Sequence, residues 1–174
     1  MKGKMMTGRI YKVLRLTVVH TVLVFLGGCV VRSPIHPVAA KLNTQAAKAL
    51  DAGKPEKARA RLLVALEYNP CYPGALHNLA LVEFMDGALD KAEQLEQRAL
   101  DCQQDLVQAI NGLGVIYRAR GNLELAEEWF EHALEVDPGC LDARRNLVDT
   151  LQLDGKISEA QKERRRLEVL EATR

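Results

Sequence analysis

Aromatic side chains are scarce in this chain: one Trp, three Phe and four Tyr make up 5% of its 174 residues. A protein that stacks nucleic-acid bases on rings would need more. Cations are not in excess either, since 24 Lys and Arg face 23 Asp and Glu for a net charge of +1. That near balance argues against a nucleic-acid binder relying on a strongly basic surface, and no nucleic-acid partner is expected. No apolar run reaches the roughly 20 residues that a membrane-spanning helix needs; the run that stands out, Leu16 to Leu26, has eleven. The four cysteines form no C-x-x-C pair and have no His within a few residues, so neither zinc nor another metal is expected. The length suits one modest folded domain and is too short for a large multidomain enzyme.

What is present begins with an address. Lys2, Lys4, Arg9, Lys12 and Arg15 precede residue 29 without any acid, which leaves 19 bases and 23 acids, net −4, in residues 29–174. A basic stretch, a short apolar core and small residues before a cut form a secretory signal peptide. Leu26-Gly27-Gly28-Cys29 resembles the lipobox of bacterial lipoproteins. The resemblance implies that residues 1–28 are removed and that the Cys29 thiol carries a diacylglycerol; an ordinary signal peptide with a free Cys29 is the alternative. Two or more acyl chains hold a protein firmly on a membrane, because each buried CH2 contributes about 0.8 kcal/mol. No Asp follows Cys29, which by similarity to enterobacterial lipoproteins implies the outer membrane, facing the periplasm. Residues 29–38, with Pro34 and Pro37, are expected to be an extended tether reaching at most about 30 Å.

The remainder has a period of 34 residues. Gly53, Gly87, Gly121 and Gly155 form one column and Ala58, Ala92, Ala126 and Ala160 another. Leu79, Leu113 and Leu147 align with Gln45, and Ala65, Ala99 and Ala133 with Leu167. This pattern resembles the tetratricopeptide repeat (TPR) over about residues 39–172, in four units starting at Ala39, Pro73, Val107 and Leu141. The third unit is the nearest match, with Leu113-Gly114, Tyr117, Gly121, Ala126, Phe130, Ala133 and Pro138 at signature positions. Departures are Leu42, Leu76, Ile110 and Arg144 in place of the signature Trp, Gln104 in place of a Pro, and Arg164 in place of a large apolar residue. The resemblance implies an all-α, right-handed superhelical solenoid of about four helix-turn-helix repeats, the TPR domain covering residues 39–174.

Each column has a physical reason. The Gly ends the first helix of a unit in a left-handed conformation. Glu56, Asp90 and Glu124 then meet the positive end of the second helix, where Ser158 is expected to cap the last one. The small Ala lets the paired helices approach closely. Buried bulk is expected from Leu62, Leu100 and Phe130, with Leu95 standing in for the column residue Glu96. A single hairpin cannot bury its apolar face, but three or more stacked ones can. Gln161 to Arg166 are expected to form a solvated end cap, with a basic docking patch at Glu163 to Arg166 as the alternative.

Cys71, Cys102 and Cys140 all fall near junctions between units. Units packed about 10 Å apart put Cys71 too far from Cys140 for a bridge that tolerates about 7 Å between Cα atoms. Cys71 with Cys102, or Cys102 with Cys140, is feasible, the first being preferred; three free thiols are the alternative. His36, His77 and His132 have no Ser, Asp or Cys at a recognisable catalytic spacing, and Gly112-Leu113-Gly114 reads as helix packing rather than a phosphate loop. No catalytic residue and no cofactor is expected.

In related repeats the first helices line a concave groove. Read onto this chain, that groove is Asn43, His77, Asn78, Leu81, Met85, Asn111, Val115, Arg118, Arg145, Asn146 and Asp149, with Gln108 beside them. Asn side chains can hold an extended peptide backbone from both amide ends, and Leu81, Met85 and Val115 would give an adaptable apolar floor. A partner protein or peptide is expected there, while the lipid provides the membrane contact. Asn78 and Asn146 could instead tie adjacent helices together. The combination of lipobox and repeats is similar to the small TPR lipoproteins that assist assembly of type IV or Flp-type pili and related secretion pores. Helpers of polysaccharide or peptidoglycan machinery form a rival class, and a hydrolytic enzyme relying on His77 a remote one.

Overall fold

The computed structural model describes residues 34–173, and the signal peptide, Cys29 and most of the tether lie outside them. Eight helices and no strand occur among the described residues. They are α1 (Pro37–Asp51), α2 (Pro55–Tyr68), α3 (Pro73–Met85), α4 (Leu89–Cys102), α5 (Val107–Ala119), α6 (Leu123–Val136), α7 (Leu141–Leu153) and α8 (Ile157–Ala172). Odd and even helices pair into four hairpins, and each even helix also packs on the next odd one.

Local chemistry sets the helix ends. Pro37, Pro55 and Pro73 open α1, α2 and α3, where a missing N–H costs nothing and the fixed φ suits the helix. The first helix therefore begins two residues earlier than the periodicity predicts, taking Pro37 and Val38 out of the tether. His36 accepts a hydrogen bond from the Val38 amide at 3.3 Å and stacks on Tyr68 with ring centroids 5.0 Å apart, which fixes the entry to α1. Gly53, Gly87, Gly121 and Gly155 all have positive φ, from 66° to 78°. At the first of these turns the Gly53 amide donates to the Leu50 carbonyl and the Lys54 amide to the Ala49 carbonyl, the paired bonds of a Schellman ending. Ser158 does not cap α8: the helix starts from Lys156 without a side-chain cap, and Ser158 lies inside its first turn.

The core is a chain of apolar clusters running between hairpins. Leu62, Leu76, Ile110 and Phe130 are wholly buried, and Ala58, Ala92, Ala126 and Ala160 are buried where helices cross. Phe130 fits because Gly114 faces it; a Cβ there would stand 2.5 Å from the ring. Leu95 does not replace Glu96 as the buried residue. Glu96 is 2% exposed and Leu95 only half-buried. In the last unit Arg144 takes the signature Trp position as a buried residue, donating to Glu163 at 2.5 Å and to the Pro138 carbonyl at 2.8 Å. Glu163 is thus interior rather than part of a solvated cap, whereas Arg164, Arg165 and Arg166 are exposed.

Each junction between units carries an ion pair in the same column. Arg59 bonds Glu83 and Asp86; Glu93 receives Arg120 at 2.6 Å and the Tyr117 hydroxyl; Glu127 receives Lys156 at 2.7 Å. The Tyr117 hydroxyl and then the Arg120 guanidinium hold the Glu93 carboxyl below its ordinary range. Cys71, in the link before α3, and Cys102, the last residue of α4, form a disulfide with Cα atoms 5.6 Å apart, while Cys140 is a free thiol.

Candidate functional site

Each odd helix packs on the next odd helix, whereas even helices touch only odd ones. The row α1, α3, α5, α7 therefore makes one continuous wall, and the sequence-predicted groove residues lie on it. The geometry sorts them into joints and open positions.

Asn78 Nδ2 donates to Asn43 Oδ1 at 2.8 Å, and Asn146 Nδ2 donates to Asn111 Oδ1 at 2.9 Å. Asn43 in turn donates to the Tyr72 hydroxyl at 3.3 Å. Arg118 donates to the side chain and carbonyl of Asn146 at 3.2 and 3.4 Å, with its guanidinium 5.6 Å above the Phe130 ring. These asparagines and Arg118 spend their polar groups on stacking the odd helices. Arg145 is also engaged, by Glu171 at 2.6 Å and Asp142 at 3.3 Å, and Val115 packs into the cluster around Phe130. The open positions are Leu81 and Met85, 40% and 53% exposed and one turn apart on α3, together with the exposed Asp149.

His77 turns inward. Its Nδ1 donates to the Glu96 carboxylate, 2.9 and 3.1 Å from the two oxygens. Glu96 sits in the column that Leu62 and Phe130 fill with apolar bulk, and Gly112 across from it makes room, since a Cβ would overlap the carboxylate. Burial pushes the Glu96 carboxyl above its ordinary range, and the hydrogen bond from His77 pulls it partly back. A raised folded-state value means that the native chain binds the Glu96 proton more readily than the unfolded chain. Its contribution to stability is therefore greatest at low pH and declines as pH rises from about 4.5 through the raised value. Glu96→Gln has no such decline. The urea midpoint of the Gln variant relative to the native protein is expected to rise between pH 4.5 and pH 7.5; an unchanged difference would count against the burial argument.

A cleft of about 320 Å³ brings His77, Gln108 and Asn111 together with Asp105, Asp137 and Cys140 from the links between units and Asp142 from the first turn of α7. The acidic links were the available signal for these residues, but the groove pattern concerns helices alone and passes over them. Cys140 and His77 line the same cleft without a hydrogen bond between them, so the thiol lacks the adjacent base that activates a nucleophile. Among the described residues no cluster of His, Cys, Asp and Glu could hold a metal ion. The arrangement offers a ridged, mainly polar wall with one apolar step at Leu81 and Met85, a surface for binding.

Comparison with known proteins gives the same architecture. Family profiles described as tetratricopeptide repeat match residues 43–106 and 107–140. The crystal structure of MamA is 22% identical with a TM-score of 0.67, over 78% of this chain and 79% of that one. TTC0263, a thermophilic TPR protein in Thermus thermophilus, is 19% identical with a TM-score of 0.70, over 77% and 75%. The first TPR of Spaghetti (RPAP3), bound to the HSP90 peptide SRMEEVD, is 23% identical with a TM-score of 0.63, over 68% and 96%. These likenesses establish the fold. The comparison with curated proteins returns no match.

Proposed function

The chain belongs to the tetratricopeptide-repeat proteins, and from that premise we propose that it is a membrane-anchored adaptor that captures an extended segment of another envelope protein. The observation that carries the reading is the pair of solvent-facing apolar side chains, Leu81 and Met85, on a wall whose asparagines and Arg118 are committed to one another. An apolar anchor on a rigid helical wall suits a short hydrophobic segment of a partner. The Spaghetti repeat domain grips a peptide on the same scaffold. Arg118 and Arg145 are paired, so the wall offers no cation pair to clamp an acidic carboxyl terminus, and the preferred segment is apolar rather than acidic.

The anchor is the Cys29 lipid that the lipobox resemblance implies. A disulfide between Cys71 and Cys102 suits the oxidising side of a bacterial envelope, the periplasmic face of the outer membrane in this reading. The partner class is a pilus or secretion-pore component. One experiment separates the two halves of the proposal. Cys29→Ser should move the protein from the membrane to the soluble fraction, while Leu81→Glu with Met85→Glu should leave it on the membrane, fully helical, without its crosslinked partner. Capture of glycan-processing enzymes in place of pore or pilus proteins would replace the partner class. Unchanged capture by the double variant would remove the wall as the binding site.

A further inference from the structure

Three of the four units bury the same three positions against their neighbours. Ala75, Leu79 and Val82 pack into the first hairpin, and their counterparts 34 and 68 residues on are buried too. In the first unit these columns read Lys41, Gln45 and Lys48, on a face with no unit before it among the described residues. A plain end cap needs only polar residues there. This one is charged with a single sign. Lys48, Lys54, Lys57 and Arg61 line a cleft of about 320 Å³ between α1 and α2 that contains no acid. None of these four makes an ion pair, whereas Arg59, Arg120, Arg144, Arg145 and Lys156 all do. Arg61 donates to Gln45 at 3.3 Å, which holds its guanidinium over the cleft.

The charge is also segregated along the solenoid. Residues 34–72 hold six bases and three acids, net +3, and residues 73–173 hold eleven bases and twenty acids, net −9. Val38 and Val64, 40% and 39% exposed, extend the basic stripes of α1 and α2 with apolar side chains. In the sequence, residue 29 precedes Pro37, the first residue of α1, by eight positions. A second copy stacked end to end does not suit the face, because the far end of the solenoid presents the exposed Arg164, Arg165 and Arg166.

We propose that the basic end face of the first repeat, centred on Lys48, Lys54, Lys57 and Arg61, docks on the phosphate headgroups of an anionic phospholipid bilayer and sets the solenoid upright on it. The lipid anchor of the preceding section supplies proximity, and to that extent this inference rests on it, but the face binds headgroups by its own charge. Each cation close to an anionic surface raises the partition coefficient about fivefold, and salt weakens the effect over a Debye length of about 10 Å at 0.1 M.

The test uses a chain beginning at Val30, which lacks Cys29 and retains the described core, all of it between Ala39 and Glu163. Its folding is checked by helicity. Sedimentation with vesicles of phosphatidylcholine containing about 30% phosphatidylglycerol should show binding that fades with salt and is absent on phosphatidylcholine alone. Lys48→Gln with Lys57→Gln should lower the partition coefficient about 25-fold without loss of helicity. Arg164→Gln with Arg165→Gln, which removes as much charge at the other end, should leave it unchanged. Equal binding by the lysine variant, an equal loss with the arginine variant, or binding indifferent to phosphatidylglycerol would overturn the proposal. So would saturable binding of inorganic phosphate or duplex DNA without vesicle binding. The two readings fail separately: a full-length Cys29→Ser protein that stays on membranes argues against the lipid anchor, whereas a Val30 chain that ignores vesicles argues against the docking face alone.

Discussion

Phe130→Ala is expected to lower the unfolding free energy by about 3–5 kcal/mol, the range for truncating a fully buried aromatic side chain. The ring is 0% exposed and sits where α6 meets the glycine notch of α5, with Leu147 and Leu151 of the next unit in the same cluster. Stability in stacked repeats is close to a sum of unit and neighbour contributions, and the third unit joins the first two to the last. Its loss should therefore do more than shift the urea midpoint. Circular dichroism at 222 nm should change from one transition to two as the outer units melt apart. A single transition with a midpoint near that of the native protein would mean that the cavity collapses or that Phe130 is not the keystone of the stack. Gly114→Ala should also destabilise, because the new Cβ crowds the ring, and Phe130→Leu should recover part of that loss. A double-mutant cycle would then show coupling between the two sites.

Removing the Cys71–Cys102 bridge is expected to cost about 3–4 kcal/mol if the loss follows the loop-closure entropy of a loop of about 30 residues. For a folded region of this size that is a drop of roughly 10 °C in Tm. The bridge closes off the second unit, from the link before α3 to the end of α4, so unfolding should begin there once it is cut. Calorimetry of Cys71→Ser with Cys102→Ser, with and without reductant, measures the effect. Thiol titration of the secreted protein should find Cys140 alone in the folded region before reduction and three thiols after it. Three thiols before reduction, or a Tm unmoved by the substitutions, would dismiss the bridge as a support of the fold.

The architecture is legible in the sequence because it depends on residues that recur. A Gly that needs positive φ, an Ala at a helix crossing and a Pro that opens a helix each act within a few residues of themselves, and the period shows the first two four times over. Pro37 misleads for a local reason: beside Pro34 it reads as part of an extended tether, but a Pro is equally at home in the first turn of a helix. The substitutions of polar for apolar residues are harder. Glu96 in an apolar column reads as a residue to be replaced by its neighbour Leu95. It stays buried only because His77 supplies a hydrogen bond and Gly112 supplies space, partners 19 and 16 residues away in different helices. Arg144 and Glu163 likewise make sense only as a pair. The wall is legible as a surface but not in its detail, since a pattern of positions does not tell an Asn facing a ligand from one bonded to the Asn 35 residues on.

The junction ion pairs have a consequence for how such a chain can change over generations. Arg59 meets two acids, while one unit later Glu93 meets Tyr117 and Arg120, so polarity flips from the first joint to the second. A tandem duplication of the second unit would set Glu93 against Glu83 and Asp86, and deleting that unit would set Arg59 against Arg120. The hairpins share one outline, yet the second is keyed to its place. A copy of the third would set Glu127 against Tyr117 and Arg120, as Glu93 is set now, so this solenoid can be lengthened by copying its third module but not its second without recutting the locks.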